Sequence, residues 1–329
     1  MPRSADDAAT MITRRAGGRG ALVLQWVLGL SAVAWVVSSV SGDAVLAALR
    51  TVDPLLYAVF CVGVALLNLL LDSLSAVPTH RHAAPDLKRS EYLVVRGAAH
   101  LGGAIHVHLG QAQVGWLLVR VCGAGVTDVV ATTLVCYGTT LGALVGLGIV
   151  PVALLDAPGW LTAGVIGCLV AASLYGVVLL RPPAVLSRLR VFAKLQQIGV
   201  TTQVALMLLR LPMMALAIAE LWIAYAFFGL EFSFAETMAV MPVLALVSAV
   251  PLVPHGIGAR DLTAFALLGT AVNAQQLGSL VSAGIALAAG SALAQVVVGL
   301  AFMPALSRLR ARRMGEASAA SSGDGVDPR

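Results

Sequence analysis

Charge is scarce in this 329-residue chain: Asp, Glu, Lys and Arg together make up 11% of it. Soluble domains carry about 25%, and disordered chains commonly more, so this composition excludes both classes. Aromatic residues are few, at 5%. The four cysteines, Cys61, Cys122, Cys136 and Cys168, lack metal-ligand spacing and read as small packing residues rather than as disulfides or ligands. A G-x-x-x-x-G-K-[ST] loop is missing, which excludes ATP hydrolysis at a Walker-type site in this chain. The apolar runs do not alternate with polar residues, which excludes a transmembrane β-barrel. Clustered carboxylates are missing as well. The one Asp-x-x-Asp pair, Asp324 and Asp327, lies in the carboxyl tail.

What is present is apolar. Hydrophobic residues reach 59% and the mean hydropathy is +0.92, values of an integral membrane protein. A span of about 20 apolar residues crosses a bilayer as a helix. Uncharged windows of that order occur at Gly20–Gly42, Pro54–Leu71, Val129–Leu155, Ala157–Leu180 and Thr237–Ala259. Ala205–Phe228 is interrupted only by Arg210 and Glu220, and Leu262–Ser307 has room for two spans around a polar turn at 273–276. The fold class is therefore an all-α polytopic membrane protein.

The net charge of +5 is explained by topology rather than by nucleic acid. Most of the basic residues fall in four clusters: Arg3 to Arg19, Arg81 to Arg89, Arg181 to Lys194, and Arg308 onward. By the positive-inside rule both tails face the cytoplasm, and the chain sits in the cytoplasmic membrane. With that orientation, residues 91–127 must enter and leave on one side, as a re-entrant or interfacial element. The expected organisation is a basic cytoplasmic tail at 1–19 and one transmembrane domain at 20–307, holding eight spans and the element at 91–127. A basic, then disordered, cytoplasmic tail follows at 308–329, losing regular structure from about Met314. The first span reads as an uncleaved anchor, because its apolar region is longer than a typical signal core. Residues 185–198 read as an interfacial helix touching anionic headgroups. Gly138, Gly142 and Gly146 recur every fourth residue, a face suited to close helix packing.

One segment interrupts the apolar pattern deep in the chain. Pro251-Leu-Val-Pro254-His-Gly256-Ile-Gly258-Ala-Arg260-Asp261 breaks a helix where no charged residue has occurred since Glu236. Irregular backbone survives at membrane depth only where protein or a watery cavity satisfies it, and transporters often build sites this way. A tight surface turn with Arg260 snorkelling to headgroups is the competing reading. Arg96 and His100 share a helical face and suit a phosphate reached from the cytoplasm. His106 and His108, two apart, fall on nearly opposite faces of a helix, while His80 and His82 read as a polar loop. None of these histidines has the i, i+4 spacing of a helical zinc site, so no metal or other cofactor is expected. Arg210 and Glu220 lie about 15 Å apart along one helix, too far to pair, at about 1.5 Å per residue. Arg210 is near enough to the cytoplasmic end to snorkel. Glu220, nearer mid-span, is either a proton-coupling group or a protonated side chain hydrogen-bonded between helices. Asn68 and Asp72, one turn apart, suit a polar vestibule.

Two stretches carry a family resemblance. Gly110-Gln-Ala-Gln-Val-Gly-Trp-Leu-Leu-Val-Arg120, followed by Val126 to Leu134, resembles a pattern in which an arginine-bearing short helix precedes a span rich in small residues. Pro251–Asp261 is similar to a Pro…Gly-Leu-Gly-Val-Arg-Glu signature. Both belong to the lysylphosphatidylglycerol synthase-type transmembrane, or flippase-like, family. Asp261 stands for the usual Glu, Gln111 for an acidic residue, and His255 where a small residue is commoner. The soluble aminoacyl-transfer domain of full-length synthases has no room here, so lipid lysylation is not implied. The resemblance implies translocation of a phospholipid or polyprenyl-linked glycolipid, or support of envelope lipid assembly, with partner envelope proteins. Headgroup capture would fall to His255, Gly256, Gly258, Arg260 and Asp261, joined by Arg96 and His100. A transporter-like protein is favoured over an enzyme. A membrane-embedded lipid transferase and a non-catalytic scaffold are the alternatives.

Overall fold

The structure, a computed structural model, describes residues 42–154, 159–249, 263–264 and 274–323. Among them the chain is helical, with no strand. The amino-terminal window Gly20–Gly42 therefore lies almost wholly outside the described residues, as do His255, Gly256, Gly258, Arg260 and Asp261. The helices are α1 (Gly42–Thr51), α2 (Pro54–His80), α3 (Arg89–Ile105), α4 (Val107–Cys122), α5 (Val126–Leu154) and α6 (Gly159–Leu180). They continue as α7 (Ala184–Ser187), α8 (Arg190–Ile198), α9 (Val200–Ala226), α10 (Phe234–Ala249) and α11 (Ala274–Gly323).

Among the described residues, four helical stretches are long and apolar enough to cross a membrane: Pro54–His80, Val126–Ile149, Val200–Ala226 and Gly278–Glu316. Ile166–Leu180 and Glu236–Ala245 are shorter apolar helices. Large apolar side chains crowd the outer surface, with Leu55, Leu174 and Leu208 all exposed. Water would penalise such a surface and hydrocarbon does not. These features are those of a helical membrane protein.

Local chemistry sets the helix ends. Asp53 caps α2 by accepting hydrogen bonds from the amides of Leu55 (2.8 Å) and Leu56 (3.1 Å), and Pro54 opens the helix where its missing N–H costs nothing. Between α3 and α4 only His106 leaves the helical conformation, with φ −162° and ψ 132°. Its Nδ1 then accepts from the His108 amide at 3.1 Å, so the residue that breaks one helix caps the next. The positive φ of Gly123, 69°, ends α4.

The two helices form a tight hairpin because small residues meet at the crossing. A Cβ on Gly110 would lie 2.9 Å from the Gly103 backbone. Helix α3 then lies antiparallel along α11. Gly97 faces Phe302, Gly103 faces Gln295, and Gly299 faces Leu101. Glu91 in the first turn of α3 accepts hydrogen bonds from Arg312 and from Arg313, the latter at 2.6 Å. Cys122 and Gly123, at the other end of the hairpin, line a groove with the same Arg313. Both ends of the hairpin thus lie beside one end of α11. Helices α3 and α4 thus turn back on one another at His106.

Other expectations need correction. The chain does not lose regular structure near Met314: α11 is helical to Gly323, and Ala, Arg, Met and Glu are good helix formers. Of the glycine face, only Gly142 meets a neighbouring helix, where a Cβ would lie 2.8 Å from the Met207 sulfur; Gly138 and Gly146 face open space. The single interfacial helix expected at 185–198 is two pieces, α7 and α8. The apolar face of α8 is covered by protein: Phe192, Leu195 and Ile198 pack with Val135, Leu179 and Leu206, and Lys194 pairs with Asp128 at 3.0 Å.

The Glu91 clamp gives the fold a pH signature. Burial of the carboxyl pushes its pKa up, but hydrogen bonds from Arg313 and the Lys88 amide, with the charges of Arg313 and Arg312, outweigh it. The net pKa falls below the usual 4.5. A lowered carboxylate pKa contributes stability above its unfolded value, and that contribution is lost as pH falls through the folded value. The melting temperature in detergent should therefore be insensitive to this group from pH 7 down to about 5 and drop under 4.5. Glu91→Gln should melt lower at pH 7 and show a smaller acid drop. An identical acid drop in wild type and variant would contradict the clamp.

Candidate functional site

The polar centre of the helical body is built from residues far apart in sequence. Asp72 on α2 is only 5% exposed, in a helix made otherwise of Leu, Val and Ala over most of its length. Arg96 on α3 donates from Nε to Asp72 Oδ2 at 2.7 Å. Arg210 on α9, 2% exposed, approaches the other carboxylate oxygen with Nη1 at 3.6 Å and donates from Nη1 to Thr140 Oγ1 on α5 at 3.0 Å. One carboxylate thus lies between two guanidinium groups. Nε and Nη2 of Arg210 are buried with no hydrogen-bond partner among the described residues. The cluster joins α2, α3, α5 and α9.

A cavity of about 210 Å³ opens beside it. Asn68 and Asp72 line it from α2, Arg96 and His100 from α3, Glu220 from α9, and Ser291 and Gln295 from α11. His100 donates from Nδ1 to the Arg96 carbonyl at 2.8 Å, because a carbonyl can only accept. That bond fixes the ring and leaves Nε2 as its second polar atom. Glu220 Oε1 accepts from Ser291 Oγ at 3.4 Å, so the carboxyl is hydrogen-bonded between two helices and also lines the cavity. The two readings of Glu220 therefore describe one geometry.

The pairing of Asn68 with Asp72, and of Arg96 with His100, follows from one-turn spacing, and both pairs meet in this cavity. Arg210 is placed differently from its expectation. It does not snorkel to the cytoplasmic end but turns inward, because Thr140 and Asp72 offer it partners inside the bundle. Gln295 and Ser291 belong to the same site and carry no sequence signal beyond being polar in an apolar helix.

The histidines are also rearranged. His80 is not in a loop: it ends α2, 2% exposed, while His82 is exposed. Thr132 Oγ1 donates to the Val129 carbonyl at 3.1 Å and so accepts from His80 Nδ1 at 3.2 Å. That leaves His80 Nε2 to face the Cys136 thiol at 3.6 Å. The ring stacks on Tyr92 with centroids 5.2 Å apart. His106 and His108 do not project to opposite faces, since the chain breaks between α3 and α4; their rings lie 5.1 Å apart. Among the described residues no three His, Cys, Asp or Glu side chains are grouped to hold a metal ion.

In comparisons with known proteins, no protein-family model matches the chain and no curated protein is significantly similar to it.

The cluster predicts a specific failure. Removing one partner of a buried ion pair leaves uncompensated charge and costs about 3–5 kcal/mol. Asp72→Asn, which keeps the shape and removes the charge, should destabilise the protein by about that amount, read as thermal or denaturant unfolding in detergent. Wild-type stability in the variant would mean that the two guanidinium groups are not held in the interior by this carboxylate.

Proposed function

We propose that this chain is a flippase-like membrane protein that moves an anionic amphiphile, a phospholipid or polyprenyl-linked glycolipid, across the cytoplasmic membrane. The observation carrying the proposal is the polar cavity beside Asp72, Arg96 and Arg210 in an otherwise apolar helical body. Charged side chains at membrane depth are costly and characteristically line substrate or ion paths. Two guanidinium groups share one carboxylate here, so the cluster is biased towards an anion. Arg96 is the cavity-lining member, and its planar fork suits phosphate oxygens.

In this reading α3 and α4 are a re-entrant hairpin entered from the cytoplasmic side. Eight spans complete the domain, both termini are cytoplasmic, and the chain is a member of the lysylphosphatidylglycerol synthase-type transmembrane family. The hairpin whose two ends meet one end of α11 supports the re-entrant part, and the basic clusters support the orientation. The segment Pro251–Asp261 is assigned a second headgroup-binding role on its Gly, Pro and Arg content alone. Glu220, facing the cavity from α9, supplies the carboxylate that proton coupling requires.

The test is a liposome flipping assay with headgroup-matched fluorescent phosphatidylglycerol, comparing wild type, Arg96→Lys and Glu220→Gln. Arg96→Lys keeps the charge against Asp72 but loses the bidentate fork, and should slow flipping by about tenfold, the cost of roughly one charge-assisted hydrogen bond. Glu220→Gln should leave folding intact and flatten the pH dependence of the rate. Wild-type rates in Arg96→Lys, with unchanged pH dependence in Glu220→Gln, would remove the cavity from the transport path.

A further inference from the structure

A second and larger recess lies away from the central cavity, between the carboxyl half of α4 and the far part of α11. It has a volume of about 780 Å³, within the range of about 300–1,000 Å³ typical of small-ligand sites. Its lining changes character along its length. Trp116 and Leu117 on α4 face Met303 and Leu306 on α11. One turn further along each helix the lining turns basic, with Arg120 on α4 and Arg310 and Arg313 on α11. From Met303 to Arg313 the groove rises about 15 Å at about 1.5 Å per residue. A largely apolar stretch that holds an indole and leads to a basic mouth makes an amphipathic slot.

The donors at the mouth are not used up by the protein. Arg120 and Arg310 are exposed and have no ion-pair or hydrogen-bond partner among the described residues. Arg313 is held by Glu91 through Nη2 at 2.6 Å and lies 3.9 Å from Glu316, yet its Nε is buried with no partner among the described residues. Glu91 also fixes the position of Arg313, so that donor is pre-oriented. Glu316 is the one acidic residue in the lining, against three arginines.

We infer that this groove holds one anionic phospholipid, its phosphate at Arg120, Arg310 and Arg313 and the start of an acyl chain against Trp116, Leu117, Met303 and Leu306. The occupant is chosen by complementarity. A zwitterionic lipid would bring a cationic group to a basic mouth, a soluble anion would leave the apolar half empty, and an apolar chain alone would leave the arginines unmatched. Trp in such a slot sits where indoles settle at the headgroup level of a bilayer. The site shares no lining residue with the central cavity. It depends on the membrane setting and not on transport through that cavity.

The experiment is lipid binding by native mass spectrometry of the full chain in detergent, titrated with phosphatidylglycerol or with phosphatidylcholine of the same chains. Wild type should retain phosphatidylglycerol preferentially, at one tightly held copy. Arg120→Ala with Arg310→Ala should weaken that copy by at least about tenfold, as expected for loss of a charge-assisted hydrogen bond. Arg308→Ala is the control, because Arg308 carries the same charge on the same helix but lines a different recess, with Ser90 and Glu91. It should leave binding unchanged. Equal retention of both lipids, an undiminished copy in the double variant, or an equal loss in Arg308→Ala would overturn the proposal. The readout involves no transport, so its failure is distinguishable from failure of the flippase reading.

Discussion

The structure depends on one buried carboxylate. Asp72 brings two guanidinium groups into an apolar helical body, Arg96 at 2.7 Å and Arg210 at 3.6 Å, and so ties α2 to α3 and α9. Each of those ions left alone would face a desolvation penalty of several kcal/mol. Together they are tolerated, and they place charge beside the polar side chains of the surrounding helices. The cavity follows from that arrangement. Asn68, His100, Glu220, Ser291 and Gln295 stand around a space that the cluster keeps from closing with hydrocarbon side chains.

A second constraint acts through residue size. The α3–α4 hairpin can bring Arg96 and His100 to the centre only because Gly97, Gly103 and Gly110 let it fold on itself and press against α11. Without a hydrophobic driving force in a bilayer, such close contact supplies much of helix association. His106 contributes the break and the cap in one residue. The Glu91 clamp then fixes one end of α11, and the same arginine that it holds borders the amphipathic groove. The hairpin thus serves the centre with Arg96 and His100 of α3 and the groove with α4.

The helical class and the apolar helices among the described residues are legible in the sequence, because each rests on the length and sign of runs of residues. Local pairs are legible for the same reason: one-turn spacing puts Asn68 beside Asp72 and Arg96 beside His100. Arg210 was not legible. Distance from a helix end pointed to snorkelling, whereas its direction is decided by Asp72 and by Thr140, the latter 70 residues away in the chain. The same holds for Arg96, whose partner is 24 residues distant. His80 follows Pro78 and precedes charged residues, so its pattern reads as a loop, although tertiary packing carries α2 on through the proline to a buried ring. The length of α11 is a local matter: the small and polar residues after Met314 suggest a tail, whereas Ala and Glu among them favour helix. The Pro251–Asp261 segment, the most distinctive part of the sequence, lies outside the described residues.

Asp72, Arg96 and Arg210 act as one buried unit, and a double-mutant cycle measures that directly. Unfolding free energies in detergent are compared for wild type, Asp72→Asn, Arg96→Gln and the double variant. If the charges are buried together, removing Arg96 should relieve the excess positive charge left by Asp72→Asn. The double variant should then be more stable than Asp72→Asn alone, with a coupling energy of about 1 kcal/mol or more. Additive losses in the double variant would contradict a buried, mutually compensating cluster.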